Sequence, residues 1–591
     1  MTCLRNRSRH ALFAGIALAL LAGSAPTFAL GNGGAAHSVA DHATWVVQKT
    51  TRLASLHIGH GAAVSAPTGD TVTLTVNGVE LPLKPGNYQG DVVLTVTASI
   101  LVPFDMMGHA FGPYHFRTAV YVDNGKLVAD KSVLAAAVHG NVTNTSADNL
   151  SIVSKAEDFN GIIVTGQSTY TVNHPTIDFI GNGGNDFAGF GAAIMASGHA
   201  KLTVNGAKIR TRGAVRTAVW VGGDSTVTVN NSDIETYDGV LPASYKFSIV
   251  PGEMMEVPYG LGIYGNVRAT NLMGHGTVYY NHDHIRAEAW GALSSDGNGP
   301  DKMVATDDLI ETVKSGYGAY ANGLAHDYFH HCVFNVADYG LIIGGPGDGT
   351  FTDGTVVNSR RFGVMMHQGT GGSVLTIEKG SVFNTGSTTI EVKGRGTRIV
   401  VDDATLDPGN GVILQAMDND DPIMRAMMAK HPGNMPGAGP GQPHYSGDVI
   451  ADFRQVHLKG DIYQAMTDVG DMDLSFENAS IDGVISLATA RPASGKEPTR
   501  ATFRQIGNVT DTVGPVAGKY GLKLTLGDDA HWTVAGTSYL TGLSLASGAT
   551  LAAPAHEGVR LIVNGREQPV KAGSTYAGRI VVEVVPVATK A

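Results

Sequence analysis

Asp327-Tyr-Phe-His, Phe334 and Tyr339-Gly-Leu-Ile-Ile are followed by Thr350-Phe-Thr-Asp, Val357 and Phe362-Gly-Val-Met-Met. Both runs have one grammar: an alternating strand, an apolar anchor a few residues on, then an aromatic–Gly pair opening a second alternating strand. The grammar extends both ways. Strand openings fall at Lys201, Thr226, Thr277, Lys302, Asp327, Thr350, Val374, Arg398 and Val449, spaced 25, 51, 25, 25, 23, 24, 24 and 51 residues apart. The anchors are Ile209, Ile234, Ile285, Ile310, Phe334, Val357, Phe383 and Leu406. The two long steps contain 239–258 and 416–447, which read as loop insertions. A unit of this size cannot bury its apolar face alone, whereas stacked units share a continuous core. The expected fold is all-β, a parallel β-helix solenoid over 115–550.

On this rung pattern the chain resembles the right-handed, pectin-lyase-like β-helix group of bacterial secreted proteins. The resemblance implies a fold far more strongly than an activity. Composition agrees with the fold. Glycine is 77 of 591 residues and charged residues are 16%, against a usual share of about 25%. Hydrophobic residues at 43% exclude a disordered chain. A net charge of −11 argues against nucleic acid as partner.

A duplication brackets the solenoid. Val76-Asn-Gly-Val-Glu-Leu-Pro-Leu-Lys-Pro-Gly-Asn-Tyr-Gln-Gly recurs as Val563-Asn-Gly-Arg-Glu-Gln-Pro-Val-Lys-Ala-Gly-Ser-Thr-Tyr-Ala-Gly. The Asn-Gly pairs read as hairpin turns, and the copies, in regions 30–114 and 551–591, as caps over open sheet edges. This phrase and Gly265-Asn-Val-Arg-Ala-Thr also resemble a set of exported bacterial β-helix proteins, a likeness that supplies no activity.

Residues 1–29 read as a secretory signal. Arg5, Arg7 and Arg9 precede the apolar run Ala11 to Ala22, which is too short to span a bilayer comfortably. The expected location is periplasmic or secreted, without a transmembrane span. Removing the signal leaves Cys332 alone, which excludes a disulfide framework and reads as a buried thiol.

Stacking makes equivalent rung positions neighbours about 4.8 Å apart. One column reads Arg210, Glu235, Arg286, Glu311, Asn335, Asn358, Asn384 and Asp407, a salt-bridged ladder followed by stacked amides. A second reads Ser295, Asn322, Gly344 and His367, with Lys393 and Gln415 aligned next. Beside it run Leu293, Tyr320, Ile342, Met365 and Glu391. Alternation points both outward, placing His367, Glu391 and Lys393 on adjacent rungs with Glu288 and Asp296 nearby. Elimination from a uronic acid needs carboxylate neutralisation and a base, roles open to Lys393 or Arg268 and to His367 or Lys393. Glycoside hydrolysis needs two carboxylates, such as Glu288 and Asp296. Asn322, Tyr320, Gln415 and Trp290 complete the candidate set as substrate contacts. Of the ordered Asn-Thr-Asp, Asp-Asp and Gly-His-Gly segments of polygalacturonase-type hydrolases, Asn-Thr-Asp is absent, and Gly59-His60-Gly61 and Gly274-His275-Gly276 precede Asp307-Asp308, the wrong order.

Gly181-Asn-Gly-Gly-Asn-Asp reads as a turn rather than a calcium loop. Met417, Met424, Met427, Met428, His431, Met435 and His444 suit copper(I), and Asp418-Asn-Asp-Asp-Pro a hard cation, although a Met-packed lid explains both runs. No cofactor is required. Three functions follow as expectations: a carbohydrate-active lyase or hydrolase on extracellular polysaccharide, a non-catalytic surface adhesin or scaffold, and copper handling.

Overall fold

The computed structural model describes residues 34–587, apart from 107, 298, 368–370, 431–446, 468–469 and 516–519. The expected signal segment, 1–29, lies outside them. The chain is all-β, and its strands assemble mainly into three long sheets of 18, 16 and 16 strands. Successive strands visit the sheets in turn, so each strand pairs in parallel with the one three places later. This arrangement is compatible with a β-helix solenoid.

Sheet one carries the strands Lys201–Asn205, Thr226–Asn230, Thr277–Asn281, Lys302–Thr306 and their successors. A short turn leads to sheet two, where Ile209, Ile234, Ile285, Ile310, Phe334, Val357 and Phe383 stack in register, all buried. The turn needs one left-handed residue: Asn231, His282, Asp307, His331 and Asp353 take it, and Gly206 does so between its neighbours. Sheet three follows with Gly291–Ser295, Tyr317–Asn322, Tyr339–Gly344, Phe362–His367, Ile390–Val392 and Val412–Met417. In the later rungs the Gly after the aromatic faces inward where there is no room for a Cβ: one on Gly318 would strike the Phe334 ring, and one on Gly363 would crowd the Thr389 carbonyl and the Phe383 ring.

The core runs between the three sheets from Ala119 to Val582. Cys332 lies in it, and burial pushes its thiol up to about 12. The duplicated phrases fold alike at opposite ends. Asn77 and Asn564 take positive φ and accept from the Asp91 and Arg579 amides, at 2.9 and 3.0 Å. The Tyr88 and Tyr576 hydroxyls donate to the Pro82 and Pro569 carbonyls. The first copy extends sheet two and the second extends sheet one.

The ladder on sheet two has the expected register throughout. Arg210 bonds Glu235 at 2.7 Å, Asn358 donates to Asn335 at 3.0 Å, and Asn384 donates to Asn358 at 2.9 Å. A further amide ladder, Asn173, Asn205, Asn230 and Asn281, stands on sheet one.

Candidate functional site

Register on sheet three decides which candidates meet. Met365 pairs with Glu391 and Glu391 with Gln415; Asn322 pairs with Gly344 and Gly344 with His367. Met366 opposite Val392 sets His367 beside Lys393. Two assignments from sequence need correction. Gly291 stands opposite Tyr317 rather than Gly318, so that rung reaches the sheet one residue early. Ser295 therefore faces inward, bonding Asp327 at 2.7 Å, Leu293 joins the core, and Asp296 takes the column position opposite Asn322. Gln415 is the neighbour of Glu391, not of Lys393, and donates to Asp511 at 3.0 Å.

His367, Glu391 and Lys393 converge beneath insertions, as their column predicts, but they are sealed. The side chains of Glu391 and Lys393 are 0% exposed. Lys393 Nζ lies 2.9 Å from Asp420 Oδ1 and 3.7 Å from Glu391 Oε2. His367 Nε2 lies 3.3 Å from Asp421 Oδ2. These are ion contacts without hydrogen-bond alignment. Asp421 accepts the Ile423 amide at 2.7 Å and caps a helix, Pro422–Lys430. The first part of the 416–447 segment is thus helical rather than loop, and its Asp-Pro start is the signal for it. Gly507 lies on the other side with positive φ, its amide donating to Asp420 Oδ2 at 2.8 Å. A Cβ there would stand 2.7 Å from Glu391 Oε1. One on Gly260 would collide with the Asp421 carboxylate.

Burial pushes the Glu391 carboxyl up to about 7, and Lys393 only partly pulls it back. Burial would lower Lys393, but Asp420 and Glu391 outweigh it and hold the ammonium above its ordinary value. Burial also acts to raise Asp421, yet His367 and the helix amides leave it below the usual carboxylate range.

A second cluster fastens the cover. Asp338 is buried and accepts from Ser315 Oγ at 2.6 Å, the Gly316 amide at 2.8 Å, Arg361 at 3.2 Å and Arg504 at 2.6 and 2.9 Å. Arg504 belongs to a 3-10 turn, Arg500–Gln505, in an excursion between the antiparallel strands Ile485–Pro492 and Val509–Val513. Arg361 and Arg504 also donate to the Gly262 carbonyl, at 3.2 and 3.0 Å. Three excursions, around 238–266, 418–430 and 493–508, therefore meet over sheet three. The first brings apolar groups of its own: Met254, Val257, Leu261 and Ile263 pack on Trp290, Tyr317, Tyr339 and Phe362. Of the residues offered as substrate contacts, Trp290 is covered here, at 2% exposed, and Tyr320 is half-buried against the same cluster.

The remaining candidates form separate groups. Arg268 is buried between Asp186, at 2.8 and 2.9 Å, and Asp296, at 2.6 Å, and faces the rings of Phe187 and Trp290. Asn322 donates to Asp296 at 3.1 Å. Asp186 thus ends its glycine-rich turn on an arginine. Glu288 pairs with Lys314 at 2.6 Å and accepts the Asp238 amide at 2.9 Å. The two carboxylates considered for hydrolysis thus have different partners. Sequence reasoning missed Asp338, Arg361 and Arg504, and read Asp420 and Asp421 as part of a Met-packed lid or as hard-cation ligands, without a partner in Lys393 or His367.

Among the described residues no group of three or more His, Cys, Asp or Glu is arranged to hold a metal ion. Of the Met/His segment, Met417 is buried and Met424 and Met427 lie on the helix. His431, Met435, His444 and the side chain of Met428 lie outside the described residues. No described helix is long and apolar enough to cross a membrane. Compared with known proteins, the chain matches no family model and no curated protein.

Proposed function

We propose that the chain is an exported, right-handed, pectin-lyase-like β-helix acting as a non-catalytic adhesin or scaffold at the cell surface or in the periplasm. In this reading the sheet-three column locks insertions onto the solenoid instead of working on a substrate. The supporting observation is the sealing of Glu391 and Lys393, at 0% exposure beneath Asp420 and Gly507. A polysaccharide lyase or hydrolase must bring sugar carbons within hydrogen-bond reach of its acid and base. Here that space is occupied by protein.

The test is a panel of soluble polysaccharides assayed for ultraviolet absorbance of unsaturated uronate and for new reducing ends, alongside cell binding. Silence in both chemical assays with saturable cell binding is the expected result. Product release that disappears in Lys393→Met overturns it.

A second reading, catalysis after the cover opens, draws support from the near-neutral Glu391 beside a lysine, a pairing suited to proton transfer. It predicts that loosening the cover raises product release from an undetectable baseline.

A further inference from the structure

The outer face of sheet two changes character halfway along. Its first rungs bear Asp178, Arg210, Glu235, Arg286 and Glu311, opposite charges on successive rungs. The next three bear Asn335, Asn358 and Asn384. Beside the amides Leu309, Val333, Val356 and Val382 align in a second outward column. A groove of about 550 Å³ follows the amides on their other side, lined by Arg286, Glu311, the three Asn residues and Arg360.

The two halves differ in what they leave unused. Arg210 and Glu235 satisfy each other. A primary amide has two N–H donors and two acceptor lone pairs. Asn358 spends one N–H on Asn335 and one lone pair on Asn384. One donor and one acceptor therefore remain, and the same holds for Asn335, which spends its N–H on Glu311 at 3.4 Å. Asn384 keeps a donor and both lone pairs. These free groups recur at a rung spacing of about 4.8 Å, close to the length of one pyranose residue. Arg360 is exposed, spends one N–H on the Val313 carbonyl, and has no acidic partner among the described residues.

We propose that this groove binds a neutral, linear polysaccharide lying along the stack, about four sugar residues at a time. Ring hydroxyls take the free amide donors and acceptors and the remaining Arg360 N–H groups. A neutral chain fits because Arg286 stands between Glu235 and Glu311, and the protein as a whole carries −11. The proposal rests on the binding-protein reading above and names its partner.

The test is calorimetric titration of the full-length protein with defined neutral oligosaccharides (gluco-, xylo- and manno-configured) and with oligouronates. Asn358→Ala and Arg360→Ala are each expected to weaken neutral-glycan binding about tenfold, roughly the value of one hydrogen bond. Asn230→Ala, in the sheet-one ladder, removes an equivalent amide away from this groove and should leave affinity unchanged. Circular-dichroism melting confirms that all three variants fold. Absence of neutral-glycan binding, binding of oligouronates alone, or equal loss in Asn230→Ala overturns the proposal. Cell binding without glycan binding defeats this inference and leaves the adhesin reading standing; glycan binding with product release does the reverse.

Discussion

The outer faces of sheets two and three belong to the same rungs and have opposite solutions for their polar groups. On sheet two, charges and amides bond along the stack to partners one rung away and keep their remaining donors and acceptors open to solvent. On sheet three, Glu391 and Lys393 are sealed against Asp420, and Asp338, at the entry to the sheet, is buried and bonds across to Arg504, far away in sequence. Asp338 and Arg504 are 166 residues apart, Arg361 and Ile506 145. The exposed ladder fixes register cheaply, since each partner is also well solvated. The covered face carries a desolvation cost that only complete partnering offsets. Removing one partner should therefore cost far more on sheet three than on sheet two.

The sharpest break is Asp338→Ala. It removes an acceptor for two arginines, a serine and a backbone amide. Arg361, mostly buried, is left without its carboxylate, a loss of about 3–5 kcal/mol for a buried pair. The effect should be local. Hydrogen exchange and proteolysis should find 493–508 and 259–262 opened at temperatures where the sheet-two strands stay protected. Simultaneous loss of protection in both faces would show that cover and solenoid are one cooperative unit.

Glu391→Gln tests the same face through pH. Burial holds the carboxyl at about 7 in the folded chain, against an ordinary glutamate value of 4.5. The folded state thus keeps this proton longer than the unfolded state. Stability from the protonated form is full below pH 4.5 and is lost as pH rises through 7, about 3 kcal/mol in all. Glutamine stays neutral, and Asp420 still faces Lys393 at 2.9 Å. Denaturant unfolding should show a shallower decline between pH 5 and 8 in the variant. A residual decline belongs to the other carboxyls that burial raises, Asp158, Asp283, Asp301 and Asp511 to about 6 and Asp308 to about 8. Parallel profiles would mean that Glu391 is not the group that makes the covered face pH-sensitive.

The contrast also explains what sequence revealed. Ile209 through Phe383 repeat every rung because each must fill the same core slot, so the period exposes them. The sheet-two ladder was equally legible, its partners being one period apart. Sheet three was legible except at two rungs: Gly291 arrives a residue early, a slip that turned Ser295 inward and Asp296 outward, and Gln415 falls beside Glu391 instead of Lys393. The cover was not legible as such. Its contacts follow no period, Asp338 and Arg504 being joined only by folding. The 493–508 excursion leaves a hairpin whose polar, Pro-containing sequence resembles any surface loop. Asp421-Pro422 did carry a helix-start signal, passed over by reading 416–447 as a loop insertion.

The smaller effects lie on sheet two and set the lower end of the comparison. Asn358→Ala removes a mid-ladder amide that gives one bond and receives one, and should cost about 1 kcal/mol. Glu235→Gln should cost less, about 0.5 kcal/mol, because Arg210 is 59% exposed and water replaces the carboxylate. That loss should shrink further with added salt, since exposed charges are screened within about 10 Å at 0.1 M. The Asp338→Ala loss should barely respond. Equal salt sensitivity in the two variants would mean that the Asp338 cluster is wetter than its packing implies, and that the two faces differ in coverage rather than in dielectric.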